Sequence, residues 1–221
     1  MRHIKEIRFK LFISDQLQTF KEYAEFVESN LRKELNDYVD LCNHYNMEED
    51  DFLYWHYDEI SQYRDHFPSI MRNSLFISIY SFLEDKVIDL CKSTDETGKK
   101  LDDLKGNGIQ RASSFIKKVK KEYFPDDTKE WHFIQNANKI RNCIVHCGGD
   151  IEKAKEPKIV RNAVNGLKNV KEDIHNNILL NEDFCTEFIG VVDKFLSDLY
   201  RIDSEILKSP QLYMGSPKQS F

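Results

Sequence analysis

The fold of this chain is decided by residues 69–91, which read SIMRNSLFISIYSFLEDKVIDLC. Pro68 stands directly before them, at a position where a helix can begin. Apolar side chains cover most faces of the helix that would follow, and they are Ile70, Leu75, Phe76, Ile79, Phe82, Leu83, Val87 and Leu90. A helix that is apolar nearly all round is surrounded by other elements. The segment therefore predicts the central helix of an all-α core.

Helical periodicity extends to both sides of this segment. Residues 14–45 carry one apolar stripe at three- to four-residue steps, and Ser14 is suited to the N-cap. Residues 48–67 read EEDDFLYWHYDEISQYRDHF, and acids in a first turn suit the helix dipole. A further stripe begins at Asn181 and predicts a last long helix. We therefore expect long antiparallel helices around the central one.

Shorter elements lie between these helices. A basic helix is predicted from about Ile109 to Tyr123, and a second helix ends at two glycines, residues 148–149. Residues 169–180 alternate partly between apolar and polar side chains, which favours a short strand or hairpin near 165–180. The fold class expected is all-α, a helical bundle of five or six helices with this one short hairpin.

The chain is long enough, at 221 residues, to bury a sizeable core. We expect a helical domain at residues 67–207 and an N-terminal helical extension, residues 1–66, packed on its core. Residues 208–221 have the composition of a flexible tail.

The composition restricts the class of protein. The 15 Phe, 10 Tyr and 2 Trp argue against disorder, and only eight Gly and five Pro argue against a turn-rich sandwich or barrel. The first ten residues lack the apolar core of a signal peptide, and no apolar run approaches membrane-spanning length. Five cysteines without paired spacing fit free thiols in a reducing compartment. We expect a cytoplasmic protein with no membrane partner.

Charge is distributed unevenly along the chain. Residues 15–66 contain 14 acidic and 4 basic side chains, a balance of −10, whereas residues 98–121 contain 8 basic and 2 acidic ones, a balance of +6. An RNA backbone is one partner for the basic segment, through Lys117, Lys118, Lys120 and Lys121. A solvated helix face is the other interpretation of the same lysines.

The residues that suggest chemistry lie in KIRNCIVHCGGD, residues 139–150. On a helical wheel at about 100° per residue, one arc of roughly 60° holds the core face, which consists of Phe133, Ala137, Ile140 and Ile144. The opposite side holds Asn138, Arg141, Asn142, Val145 and His146, which we call the outer ridge. The outer ridge contains a permanent cation and an imidazole but no carboxylate.

These residue types suit a phosphodiester. The planar fork of Arg141 matches two phosphate oxygens, and His146 can accept or donate a proton near neutral pH. RNA supplies its own nucleophile in the 2′-OH, so the pattern requires neither a cofactor nor a metal. A structural alternative is that both side chains cap carbonyl groups at the helix C-terminus, where cations are favourable.

The segment KIRNCIVH, residues 139–146, resembles the R-x(4)-H signature of the HEPN superfamily, which often has a polar residue directly after the Arg. Residues 67–91 resemble the earlier core helix of HEPN proteins from antiviral-defence and toxin systems, and residues 184–200 fit the last helix. The resemblance covers roughly residues 67–200. It implies an all-α fold that forms a homodimer in which two motifs meet, and metal-independent RNA cleavage that leaves a 2′,3′-cyclic phosphate.

The resemblance also implies roles for individual residues. Arg141 would hold the scissile phosphate, His146 would transfer protons, and Asn142 would orient the phosphate or the imidazole. Val145 would form a dimer contact that flanks the cleft. HEPN toxins controlled by nucleotidyltransferase antitoxins often have a Tyr two residues after the His, and Gly148 stands there in this chain. Control by modification of that Tyr is therefore not expected.

Other candidate residues are less specific. Arg72 and Glu84 are charged residues within the central helix, and either could approach the outer ridge and support His146 together with Asn138. Cys143 and Cys147 flank His146 but lie on the core side of the wheel, so one zinc ion could hardly contact all three. We expect buried thiols and no metal site.

Two classes of function therefore remain. The first is an endoribonuclease of HEPN type, a toxin or antiviral-defence effector that acts on RNA, with an antitoxin or another defence-system protein as a possible partner. The second is a non-catalytic HEPN-like helical module that binds a nucleotide or a partner protein.

Overall fold

The structure is a computed structural model that describes residues 7–45, 54–92 and 98–201. Its helices are α1 (Asp15–Tyr45), α2 (Tyr57–Ser61), α3 (Phe67–Asp89), α4 (Gly108–Lys118), α5 (Lys129–Cys147), α6 (Pro157–Asn165) and α7 (Phe184–Tyr200). Strands β1 (Val170–Glu172) and β2 (Ile178–Leu180) pair antiparallel, with Val170 opposite Leu180. The predictions of an all-α bundle and of a short hairpin near 165–180 are confirmed. The predicted tail at residues 208–221 lies outside the described residues.

Helix α3 lies at the centre of the bundle, as its sequence predicts. It contacts α1, α4, α5 and α7, and Phe76, Ile79, Leu83 and Val87 on it are fully buried. The Phe76 ring packs edge-on against two rings of α7, with centroid distances of 5.1 and 5.2 Å. Ile70 is an exception to the predicted core positions, because 64% of its surface is exposed.

Helix α1 runs antiparallel to α3, since Phe20 packs on Phe82 and Glu28 pairs with Arg72 farther along. The helical path begins before Ser14, through a π-helical turn at Lys10–Ser14, so Ser14 is not an N-cap. The early residues of this path belong to the same core as α3, and they are Phe9, Ile13, Leu17 and Ala24.

Helices α2 and α3 are joined without a break. A π-helical turn, Gln62–His66, connects them, and Phe67 continues with helical backbone angles. Pro68 has no N–H to donate to the carbonyl four residues earlier, and a π-turn is a usual way to absorb such a missing bond. Residues 46–53, which include the start of the second predicted helix, lie outside the described residues.

The basic helix is shorter than predicted. Helix α4 ends at Lys118 rather than near Tyr123, and Lys121 has a left-handed backbone conformation with φ of 53°. The Lys120 ammonium donates to the Leu90 carbonyl at 2.8 Å, which holds this turn against the end of α3. The buried residues that follow, Phe124 and Pro125, lead the chain toward α5 instead of continuing the helix.

Candidate active site

Helix α5 carries the outer ridge and has well-defined ends. Thr128 caps its N-terminus by accepting a hydrogen bond from the Trp131 N–H at 3.2 Å. At the other end Gly148 adopts φ of 65° and donates to the Cys143 carbonyl. A residue with a β-carbon is disfavoured at such an angle, which explains the glycine. The prediction that the glycines end the helix one or two residues after His146 is confirmed, because α5 ends at Cys147.

The two faces of α5 agree with the wheel except at one residue. Ala137 and Ile140 are fully buried, and Phe133 and Ile144 pack against the core. On the outer ridge Asn142, Val145 and His146 are exposed and Asn138 is half-buried. The exception is Arg141.

The prediction that Arg141 faces away from the core is wrong in part. Its guanidinium carbon lies 5.9 Å from the centroid of the Tyr80 ring of α3. Its Nε is buried and has no hydrogen-bond partner among the described residues. A helical wheel gives only the direction of the β-carbon, and the long Arg side chain bends back far enough to reach the neighbouring helix.

Two asparagines hold the free end of Arg141. Its Nη1 donates to Asn142 Oδ1 at 3.1 Å, and Asn142 Nδ2 donates to Asn138 Oδ1 at 3.3 Å. Asn142 therefore contacts the arginine rather than the imidazole. Within the described part of the chain, His146 is exposed and makes no hydrogen bond that would orient it.

Sequence reasoning missed Tyr80 as a site residue. The side chain is 2% exposed, and its hydroxyl is buried without a hydrogen-bond partner in the described structure. Burial raises the pKa of this phenol, the Glu84 carboxylate raises it further, and the Arg141 cation opposes them; the net pKa lies well above its ordinary value. The phenol is neutral at physiological pH. A single Tyr inside an otherwise apolar helix was the only signal in the sequence.

Glu84 lies one turn after Tyr80 and packs against the start of α4. A β-carbon at Gly108 would overlap the Glu84 carboxylate, so a larger residue there would force the flexible Glu84 side chain to shift. Gly108 also has a φ of 55°. The Glu84 carboxylate lies close enough to Tyr80 to raise the pKa of the phenol, while its support of His146 stays a prediction.

Arg72 is bonded elsewhere and makes no described hydrogen bond to His146. Its Nε and Nη2 donate to the Glu28 carboxylate at 2.6 and 2.8 Å, and its Nη1 donates to the Leu180 carbonyl at 3.2 Å. These three contacts join α3 to α1 and β2. Arg72 is therefore a structural cation, and sequence alone could not show this because Glu28 and Leu180 are distant along the chain.

The four lysines do not share one face. Lys117 pairs with Asp126 at 2.6 Å and lies 5.9 Å from the Phe124 ring centroid. Lys120 is largely covered and is held by the Leu90 carbonyl. Only Lys118 and Lys121 are exposed and without an ion pair to any described residue. Lys120 is therefore not part of an exposed face, and RNA binding by the other lysines stays a prediction.

The lysines also lie far from the outer ridge. Phe124, beside Lys117, packs on Trp131 in the first turn of α5, with ring centroids 4.9 Å apart. Trp131 and His146 are separated by about 22 Å along the helix axis, at about 1.5 Å per residue. The basic segment and the outer ridge therefore occupy opposite ends of α5.

Cys143 is buried, as expected, whereas Cys147 is half-buried. Burial raises the pKa of Cys143 to about 11 and that of Cys185 to about 12. Such thiols are protonated and are poor metal ligands at neutral pH. Residues 7–45, 54–92 and 98–201 contain no group of three or more His, Cys, Asp and Glu side chains that could hold a metal ion.

Comparisons with known proteins found no match for this chain, whether with protein-family models, with curated proteins or with solved structures. No helix among the described residues is long and apolar enough to cross a membrane.

Proposed function

We propose that this chain is a metal-independent endoribonuclease of HEPN type that acts in the cytoplasm as a toxin or antiviral-defence effector. One observation carries the proposal: Arg141 has no carboxylate partner among the described residues and lies at the end of α5 where the His146 imidazole is exposed. A guanidinium and a titratable imidazole without neutralising acids suit an anionic substrate that needs proton transfer.

The reaction is attack by the RNA 2′-oxygen on the adjacent phosphorus. A bond forms between the 2′-oxygen and phosphorus, and the bond from phosphorus to the 5′-oxygen breaks. One imidazole accepts the proton of the 2′-OH, and another donates a proton to the leaving 5′-oxygen. Arg141 stabilises the charge that builds on the phosphate oxygens. The products are a 2′,3′-cyclic phosphate and a 5′-hydroxyl.

A homodimer supplies the second imidazole. Arg141 and His146 are five residues apart, which places them about 140° apart around a helix at about 100° per residue. On one helix their β-carbons therefore point in different directions, and two copies about a two-fold axis would bring the Arg of one to the His of the other. Val145 is exposed beside both residues and provides an apolar contact for the second copy.

The decisive experiment measures cleavage of a fluorescent RNA by the His146→Ala protein. We expect no cleavage and an unchanged thermal unfolding temperature, because the imidazole is exposed and makes no described contact. Parent enzyme should cut in the presence of EDTA and should fail on RNA with a 2′-deoxy sugar at the cleaved position. Cleavage by His146→Ala at the parent rate, or loss of cleavage in EDTA, would exclude this mechanism.

A second function is favoured by one feature of the site. The Arg141 guanidinium is partly covered by Tyr80, and no described contact orients His146. Both facts fit a non-catalytic module that binds a nucleotide or a partner protein, such as an antitoxin or another defence protein. Expression in a host cell separates the two functions: toxicity that disappears in His146→Ala supports the nuclease, and binding without cleavage supports the module.

A further inference from the structure

Tyr80 and Arg141 meet in an unusual way for two polar side chains. The phenol oxygen and the arginine Nε are both buried, and neither has a hydrogen-bond partner in the described structure. Leaving a buried polar atom unpaired is destabilising. The contact between the ring face and the guanidinium, at 5.9 Å, is the interaction that remains.

We infer that Tyr80 is a positioning residue that fixes Arg141 so that its terminal edge faces the RNA phosphate. The inference rests on the proposed function. A guanidinium can grip a phosphate by its side edge, Nε with Nη2, or by its terminal edge, Nη1 with Nη2. The side edge is closed because Nε is buried. The terminal edge stays available, since Nη1 spends only one N–H on Asn142.

The contact works through the aromatic face and not through the hydroxyl. A cation over an aromatic ring is attracted to the ring face, and more strongly when the pair is desolvated. The phenol is kept neutral by burial and by Glu84, so it adds no charge of its own beside the guanidinium. The unpaired hydroxyl contributes no described hydrogen bond. Tyr80→Phe should therefore preserve the position of Arg141, and Tyr80→Leu should release it.

The test compares Tyr80→Phe and Tyr80→Leu with the parent protein and with a control, Val87→Ala. Val87 is fully buried on α3 two turns away, so its truncation destabilises the core without altering the ring face. We expect Tyr80→Leu to lower kcat about tenfold with little change in KM, because other phosphate contacts still bind the RNA. Tyr80→Phe and Val87→Ala should keep the parent kcat per folded molecule.

A second readout does not depend on catalysis. In nitrogen-15 NMR spectra, the Arg141 Nε–H signal is identified as the one missing from Arg141→Lys. It should exchange slowly with solvent in the parent and in Tyr80→Phe, and rapidly in Tyr80→Leu. If the parent does not cut RNA, the proposed function fails and this signal alone decides whether Tyr80 holds Arg141.

Three results would overturn the inference while leaving the nuclease intact. In the first, Tyr80→Leu keeps the parent kcat although Arg141→Lys is inactive. In the second, Tyr80→Phe loses as much activity as Tyr80→Leu, which would assign the effect to the hydroxyl. A fall in kcat equal to that of Val87→Ala would likewise show a general effect of lower stability.

Discussion

Two half-buried arginines on neighbouring helices of this bundle have opposite surroundings. Arg72 on α3 donates to both carboxylate oxygens of Glu28 and to the Leu180 carbonyl. Arg141 on α5 has no carboxylate partner among the described residues, donates to one asparagine, and leaves a buried Nε unpaired. All three guanidinium nitrogens of Arg72 thus make hydrogen bonds, whereas most N–H donors of Arg141 have no partner among the described residues.

The difference separates a cation that holds the fold from one that is open to a ligand. A partly buried charge stabilises a structure only when its partners compensate for the lost hydration. Arg72 meets this condition, with side-chain exposures of 18% for it and 16% for Glu28. Arg141 does not, so its place at the end of α5 is not explained by stability. We propose that an anionic ligand is the missing partner of Arg141.

The largest effect that tests this comparison is on RNA cleavage. Arg141→Lys should lower kcat/KM by a hundred- to a thousandfold, because a point charge cannot replace the planar fork at a developing phosphorane charge. Its free energy of unfolding should change by less than about 1 kcal/mol, since no buried carboxylate loses its cation in this variant. The measurements are single-turnover cleavage and urea unfolding.

The matched control for that experiment is Arg72→Lys, the same substitution at the paired arginine. It should lower stability while cleavage per folded molecule stays at the parent value. Equal losses of cleavage in both variants would show that Arg141 and Arg72 act alike on the fold, and the distinction between them would be lost.

The next effect is on stability. Arg72→Met should lower the free energy of unfolding by about 3 kcal/mol, because it leaves the Glu28 carboxylate in a covered position without its cation. Replacing both partners in Arg72→Met with Glu28→Leu should recover most of this loss, since two apolar side chains leave no unpaired charge. Urea unfolding of the single and double variants forms the cycle. A double variant as unstable as Arg72→Met would contradict the account.

The sequence predicts the helical framework well and the partners of its charges poorly. Periodicity identifies α3 and the core face of α5, and the glycine pair gives the end of α5, because these features depend on neighbours within one or two turns. The contact of Arg141 with Tyr80 and the pair of Arg72 with Glu28 join residues more than 40 positions apart. The inward position of Lys120 was likewise not predicted, because its ammonium bonds the carbonyl of a residue at the end of another helix, Leu90. Such contacts follow from packing between helices.

A third, smaller effect concerns acid. Burial raises the pKa of Glu130, but the hydrogen bond from Lys194, at 2.8 Å, and the Glu130 backbone N–H outweigh it and hold the pKa below its ordinary value. A depressed carboxylate pKa stabilises the fold above the unfolded-state pKa of about 4.3, and the contribution disappears as pH falls through the folded-state pKa.

Glu130→Gln should therefore be less stable than the parent by about 1 kcal/mol at pH 6 and by much less at pH 3. Urea unfolding at both values of pH is the measurement. Glu130 resembles Arg72 in this respect, because the fold supplies its ionic partner, Lys194, at the N-terminal end of α5. If the stability difference between Glu130→Gln and the parent grew toward pH 3, its pH dependence would have the opposite sign. The Glu130 carboxylate would then not be the stabilising group.

The smallest effect is expected at the basic segment, which also contains both kinds of cation. Lys120 is bonded within the fold, whereas Lys118 and Lys121 are exposed. Changing Lys118 and Lys121 together to Glu should weaken RNA binding about threefold and reduce the salt slope, because these exposed ammonium groups can follow an RNA backbone. Lys120→Ala should leave affinity and slope unchanged and lower stability instead, since the ammonium bonds the Leu90 carbonyl. Binding of a 2′-O-methyl RNA, measured by anisotropy at several salt concentrations, separates the two. If only Lys120→Ala reduced the salt slope of RNA binding, Lys120 would be the RNA contact. Burial would then not distinguish a lysine that holds the fold from one that binds RNA.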